Sequence, residues 1–172
     1  NAMGKAFKDQ TAHLITSLLI DLVAAGVVFF MPDIVKTLRF PVYLIDPMRV
    51  LTLIALAHSG RINALFLAVA LPAFSYFTGG HPHLLKSGLI ATELIANILL
   101  FFVLARAIPT FASMLLAILL SKGLYYGLKW TVIQTGWIDP PLLATPLWIQ
   151  GIVALVMSGY VYLYFQKGKS IV

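Results

Sequence analysis

An acid and an amide one helical turn apart, Glu93 and Asn97, sit in the middle of a run otherwise rich in Leu, Ile and Phe. A charged side chain at bilayer depth is costly, and such residues face a bundle interior or a wet cavity and mark ligand or ion pathways. Lys86 precedes Glu93 by seven residues, so Lys86, Glu93 and Asn97 share one helical face. A second apolar run places Lys122, Tyr126 and Lys129 on a common face, with Tyr125 beside them. Glu93, Asn97, Lys86, Lys122, Tyr125 and Tyr126, together with Arg49, Trp130 and Gln150, compose a binding set. Lys122, Arg49 and Lys86 can meet a carboxylate, and Glu93 an amine or a ring N–H. Tyr125, Tyr126 and Trp130 offer flat surfaces for a heterocycle, and Asn97 and Gln150 supply hydrogen bonds. Small-molecule sites combine mostly apolar walls with a few placed polar groups in this way. An amphoteric or heteroaromatic solute suits the set better than a sugar. The alternative is structural: Glu93 and Lys122 neutralise each other between two helices, and no cavity remains. Asp21, in the first apolar run, is open to the same two readings, a packed polar partner or a functional charge.

Reactive chemistry finds little support. Cysteine is absent, which excludes disulfides, thiolate nucleophiles and Cys-ligated metals. Of the histidines, His81 and His83 stand two apart in a Gly/Pro loop, and neither they nor His58 belong to an HExxH motif or a carboxylate-rich set, so no metal site is expected. No GxSxG nucleophile turn and no GxxxxGK[ST] phosphate loop occur. No cofactor is implied. The net charge of +6 is assigned to loop Lys and Arg near lipid headgroups, because no basic run interleaves with aromatics in the manner of a nucleic-acid surface.

The elements that must position this set are membrane spans. With 60% hydrophobic and 10% charged residues and a mean hydropathy of +0.95, the chain far exceeds the apolar share of a soluble domain. It reads as an all-α integral membrane protein, a single transmembrane domain over residues 1–172. Asn1-Ala2, ahead of Met3, resembles the remnant of a cleaved expression tag and is set apart. At about 20 residues per span the punctuation fits six crossings. The first runs from His13 to Met31, where Pro32-Asp33 is expected to end it, and residues 32–46 form a structured connection at the interface. The second is short. It starts with Pro47 at a first helical position and stops at Ser59-Gly60, well under the roughly 30 Å hydrocarbon core. The others run from Ile62 to Phe77, Leu84 to Arg106, Thr110 to Trp130 and Pro146 to Phe165.

Small residues provide further surfaces. Ala24, Ala25 and Gly26 in the first span and Ala64 and Ala68 in the third let another backbone approach closely and are candidate docking faces for a partner; Gly123 and Gly127 form a GxxxG pair in the fifth. An even number of spans puts both termini on one side, with the loops around residues 32–46, 78–83 and 135–141 on the other. Lys and Arg near the ends favour the terminal side by a single residue, which points to cytoplasmic termini in a multi-pass protein of the cell (inner or cytoplasmic) membrane.

The order of features resembles the substrate-binding S components of energy-coupling-factor (ECF) vitamin transporters. The likeness is carried by Phe40-Pro41 before a short second span, Gly60 at a tight turn, Ala64 to Pro72 in the third span, and Thr78-Gly79 with Pro82. Glu93-Leu94 with Asn97 and Leu100, then Lys122 with Tyr125-Tyr126, and Gln150 early in the sixth span continue it. The resemblance implies six helices around a solute pocket near the outer surface, capped by the three long loops. It further implies a vitamin or related micronutrient as ligand, no catalysis by this chain, and partnership with a transmembrane coupling subunit and two ATPase subunits. The competing identity is a small membrane protein outside that family, either a membrane-embedded enzyme or a helical subunit of a complex, with a structural Glu93/Lys122 pair.

Overall fold

The computed structural model describes residues 2–79, 83–138, 141–143 and 145–166. Among them all regular structure is helical: α1 (Ala2–Leu38), a 3-10 turn (Val42–Ile45), α2 (Pro47–His58), α3 (Arg61–Gly79), α4 (Leu84–Leu104), α5 (Thr110–Gln134) and α6 (Leu147–Gln166). Five of these helices are long and apolar enough to cross a membrane, and α2 is the short exception. The protein is an all-α, multi-pass membrane protein.

The first helix is longer than its sequence punctuation indicates. Pro32 lies inside α1 rather than after it. A proline removes one bond to the residue four before it and clashes locally, and membrane helices tolerate this where neighbours re-satisfy the backbone. The next turn then forms normally, and the helix stops only at Arg39, which takes a left-handed φ of 51°. The expected connection over residues 32–46 therefore begins as helix to Leu38 and continues through an irregular stretch into the 3-10 turn Val42–Ile45. At about 1.5 Å per residue, the 37 residues of α1 exceed the hydrocarbon thickness.

Helix α2 occupies the middle of the bundle. Its 12 residues span only about 18 Å, and it packs against α1, α3, α4, α6 and the 3-10 turn. Arg49, Thr52, Leu53, Ala55, Leu56 and Ala57 are all buried. A helix shielded from lipid by its neighbours has no hydrocarbon thickness to match. Asp46 stands at its N-cap position with φ 55° and without a side-chain cap bond, and Gly60 ends it. The amides of Ser59 and Gly60 both donate to the Ala55 carbonyl at 2.7 and 3.0 Å, and Gly60 has φ 91°, a region that an L side chain adopts only with strain.

Around α2 the apolar core joins Ala24 and Val28 of α1, Leu67 and Leu71 of α3, Leu94, Ile98 and Phe101 of α4, Met114 and Ile118 of α5, and Val161 of α6. Outward-facing Leu14, Leu18, Leu22 and Phe66 are exposed, as expected of surfaces solvated by lipid tails. Ala24, Ala64 and Ala68 are each 0% exposed. They are used inside the bundle, where their small size lets α1, α2, α3 and α4 approach one another, and so cannot serve as docking faces. Ala25 and Gly26 remain half-buried. Gly123 and Gly127 point outward, with open space where a Cβ would stand. Ala68→Leu is thus expected to destabilise the fold by about 1–3 kcal/mol through overpacking, measured as a lower melting temperature in detergent. A melting temperature equal to wild type would return Ala68 to the surface.

Candidate functional site

Helices α4 and α5 are antiparallel neighbours that pack along their length, and each carries polar residues seven apart on its inner face. That register brings Glu93 opposite Lys122 and Lys86 opposite Lys129. The Nζ of Lys122 lies 3.4 Å from Glu93 Oε1 and 3.1 Å from Asp46 Oδ2. Arg49 of α2 completes a four-charge cluster. Its Nε donates to Asp46 Oδ2 at 2.9 Å, and its Nη2 donates to Glu93 Oε1. Its Nη1 reaches Asn97 Oδ1 at 3.3 Å and Ser121 Oγ at 3.4 Å. A planar guanidinium with five donors in a fork suits this demand, which a point-charge ammonium does not.

Two cations against two carboxylates make the cluster neutral overall. Arg49 is 0% exposed and Glu93 5%, a depth at which only paired and hydrogen-bonded charges are tolerable. Asp46 sits in the loop before α2, where burial alone would raise its carboxyl. Arg49 and Lys122 outweigh that effect and hold it below the usual carboxylate range.

Directly above the cluster, toward the loops, lies a cavity of about 640 Å³. Asp46, Glu93 and Lys122 form its floor, with Met31 of α1, Ile90 of α4 and Val153 of α6 among its apolar walls. Tyr125 and Tyr126 line it from α5, and Gln150 from α6. Gln150 is held in place: its Nε2 donates to Tyr126 Oη at 2.7 Å and to the Thr145 carbonyl at 2.8 Å. Lys129 lines the upper part and donates to the Pro141 and Leu142 carbonyls at 2.8 and 2.9 Å, which ties the α5–α6 loop over the opening. Lys86, half-buried, lines the same end. Tyr43 and Leu44 of the 3-10 turn contribute another side; that turn lies between α1 and α6, which do not touch each other.

Of the sequence-derived binding set, Glu93, Lys122, Tyr125, Tyr126, Gln150 and Lys86 converge on the cavity. Three residues do not. Asn97 lies one turn below the floor, 1% exposed, bonded to Arg49 and, through Nδ2, 3.7 Å from Met114 Sδ. Arg49 lies beneath the floor. Trp130 is 54% exposed on the outside of α5, one residue past the inner-face position held by Lys129. The Glu93–Lys122 contact expected of the structural reading and the cavity expected of the binding reading are both present. Asp46 was hidden by its place before Pro47, where an acid reads as helix-start punctuation. Lys129 was legible as the residue seven after Lys122.

Asp21 finds a partner in Asn63, whose Nδ2 donates to Asp21 Oδ1 at 2.8 Å between α1 and α3. His58 bonds Tyr160 Oη at 2.6 Å and packs on Tyr164. His81, Pro82, Asp139, Pro140, Lys167 and Lys169 lie outside the described residues. No group of three or more His, Cys, Asp or Glu able to hold a metal occurs among the described residues. Comparison with family models, curated proteins and solved structures yields no match to this chain.

Proposed function

We propose that this chain is the membrane-embedded substrate-binding component of an ECF-type importer, capturing a vitamin or related small micronutrient at the outer face. The observation that carries the reading is the cavity: a space large enough for a small solute, mostly apolar, with Tyr125, Tyr126 and Gln150 on its wall and an ionic floor beneath. Ligand sites commonly fall in this size range and have this composition. The resemblance of residues 40–100 to S components and the short, shielded α2 point the same way. In this reading Glu93 and Lys122 serve twice, closing the floor and presenting polar atoms to the solute. The chain carries no phosphate-binding loop, so active uptake requires separate coupling and ATPase subunits. The outer face of α1 around Ala25 and Gly26 is where a coupling subunit would sit. The competing reading, a small membrane protein with a purely structural ion pair, draws on the 3.4 Å contact of Lys122 with Glu93 but gives the cavity no role.

Native mass spectrometry of the detergent-purified protein tests this directly. A small molecule retained by the wild type, and retained less well when Tyr126 is replaced by Ala, is the expected result. Loss of one aromatic contact of about 0.5–1.5 kcal/mol corresponds to roughly two- to tenfold weaker binding. An empty protein that also takes up nothing from a vitamin panel, with or without coupling and ATPase subunits in proteoliposomes, would sink the proposal.

A further inference from the structure

The cavity has two rungs of charge. Glu93 and Lys122 form the lower one, and the seven-residue spacing on both helices sets the upper one, Lys86 and Lys129, about 10 Å away. The lower rung is closed, since every carboxylate and cation there is paired. The upper rung is different. Lys129 is 3% exposed, and its ammonium has only two neutral carbonyls as partners. Lys86 has no hydrogen bond or ion pair among the described residues and lies near enough to Lys129 for their charges to interact. Two like charges converging on one end of a largely apolar cavity repel, and an anion between them removes that repulsion. With the floor neutral, these two cations decide the sign of the whole cavity.

We propose that Lys86 and Lys129 form the anion-binding end of the cavity and take the carboxylate or phosphate group of the captured solute, while Tyr125 and Tyr126 hold its ring portion beneath. This rests on the binding reading above and narrows its substrate class to acidic micronutrients. The approximately 10 Å between rungs fits a molecule with its acidic group at one end and a flat ring in the middle.

Inorganic phosphate is a suitable probe, because it asks only about the upper rung. For wild type in phosphatidylcholine nanodiscs, phosphate is expected to raise the melting temperature saturably relative to chloride at equal ionic strength. Lys86→Gln should weaken the apparent phosphate affinity at least tenfold while leaving the phosphate-free melting temperature unchanged or raised, since a like charge has been removed. Lys129→Gln should lose both the phosphate response and part of the stability, because the loop carbonyls lose their donor. Equal phosphate responses in wild type and Lys86→Gln overturn the proposal. So does retention of phosphatidylglycerol by wild type but not by Lys86→Gln in mixed nanodiscs, which would make the anion a lipid headgroup. A neutral co-purifying solute overturns the acidic assignment and leaves the capture function intact. A Lys86-dependent phosphate response in a protein that binds no micronutrient supports the anion site and removes the capture function.

Discussion

Arg49→Met is expected to cost the protein about 3–5 kcal/mol, the range for removing one partner of a buried ion pair. For a chain of this size that corresponds to a fall in melting temperature of about 6–20 °C. The arginine is wholly buried and donates to four acceptors on three other segments: Asp46 before α2, Glu93 and Asn97 on α4, and Ser121 on α5. Methionine fills much of the volume but leaves two carboxylates facing a single ammonium, Lys122. Arg49→Lys should recover only part of the loss, because an ammonium cannot span the same fork. Combining Arg49→Met with Glu93→Gln should be less damaging than the sum of the two, since the second change removes a charge the first has stranded. Strict additivity in thermal denaturation would show that the four groups do not act as a unit.

Glu93→Gln comes next in size. The carboxamide keeps the shape and one acceptor but withdraws the charge that Arg49 and Lys122 share, leaving Asp46 alone against both. Loss of charged hydrogen bonds of this kind costs about 1.5–3 kcal/mol, or about 3–12 °C in melting temperature. Because Glu93 also contributes to the cavity floor, ligand retention should fall as well, and the two effects separate through Asn97. Asn97→Ala loosens Arg49 without touching the cavity, so it should lower the melting temperature and leave ligand affinity unchanged. A Glu93→Gln protein that melts like wild type would contradict the ionic floor, whatever its affinity.

The helices and the inner faces of α4 and α5 were legible in the sequence because both follow from local rules. Pro47 and Gly60 bound α2 through backbone geometry, and the seven-residue spacings fix which side chains share a face. What was not legible depends on which helices become neighbours. The small residues Ala24, Ala64 and Ala68 read equally well as an outer or an inner packing surface, and only the central position of α2 makes them inner. Asn97 shares a face with Glu93, but a face runs the length of the helix, and the cavity ends before Asn97 is reached. Arg49 was legible as a possible partner for a carboxylate, yet apart from nearby Asp46 its acceptors Glu93, Asn97 and Ser121 come from distant segments that no spacing rule connects. Pro32 misled for the opposite reason: a local stop signal was overridden where the next turn could form its own bonds.

The position of Arg49 has a consequence for permeability. Below the cavity floor Asn97 and Ser121 are bonded to the guanidinium, and Leu56, Ile98, Phe101 and Ile118 belong to the buried core. Among the described residues, a solute in the cavity therefore rests on a floor of paired, buried charge. Opening a path through that floor would mean pulling apart a neutral four-charge knot in an apolar surround, which small side-chain movements cannot do. The membrane's electrical seal is thus independent of whether the cavity is full, and vesicles carrying this chain alone should hold an ion gradient as tightly as empty ones.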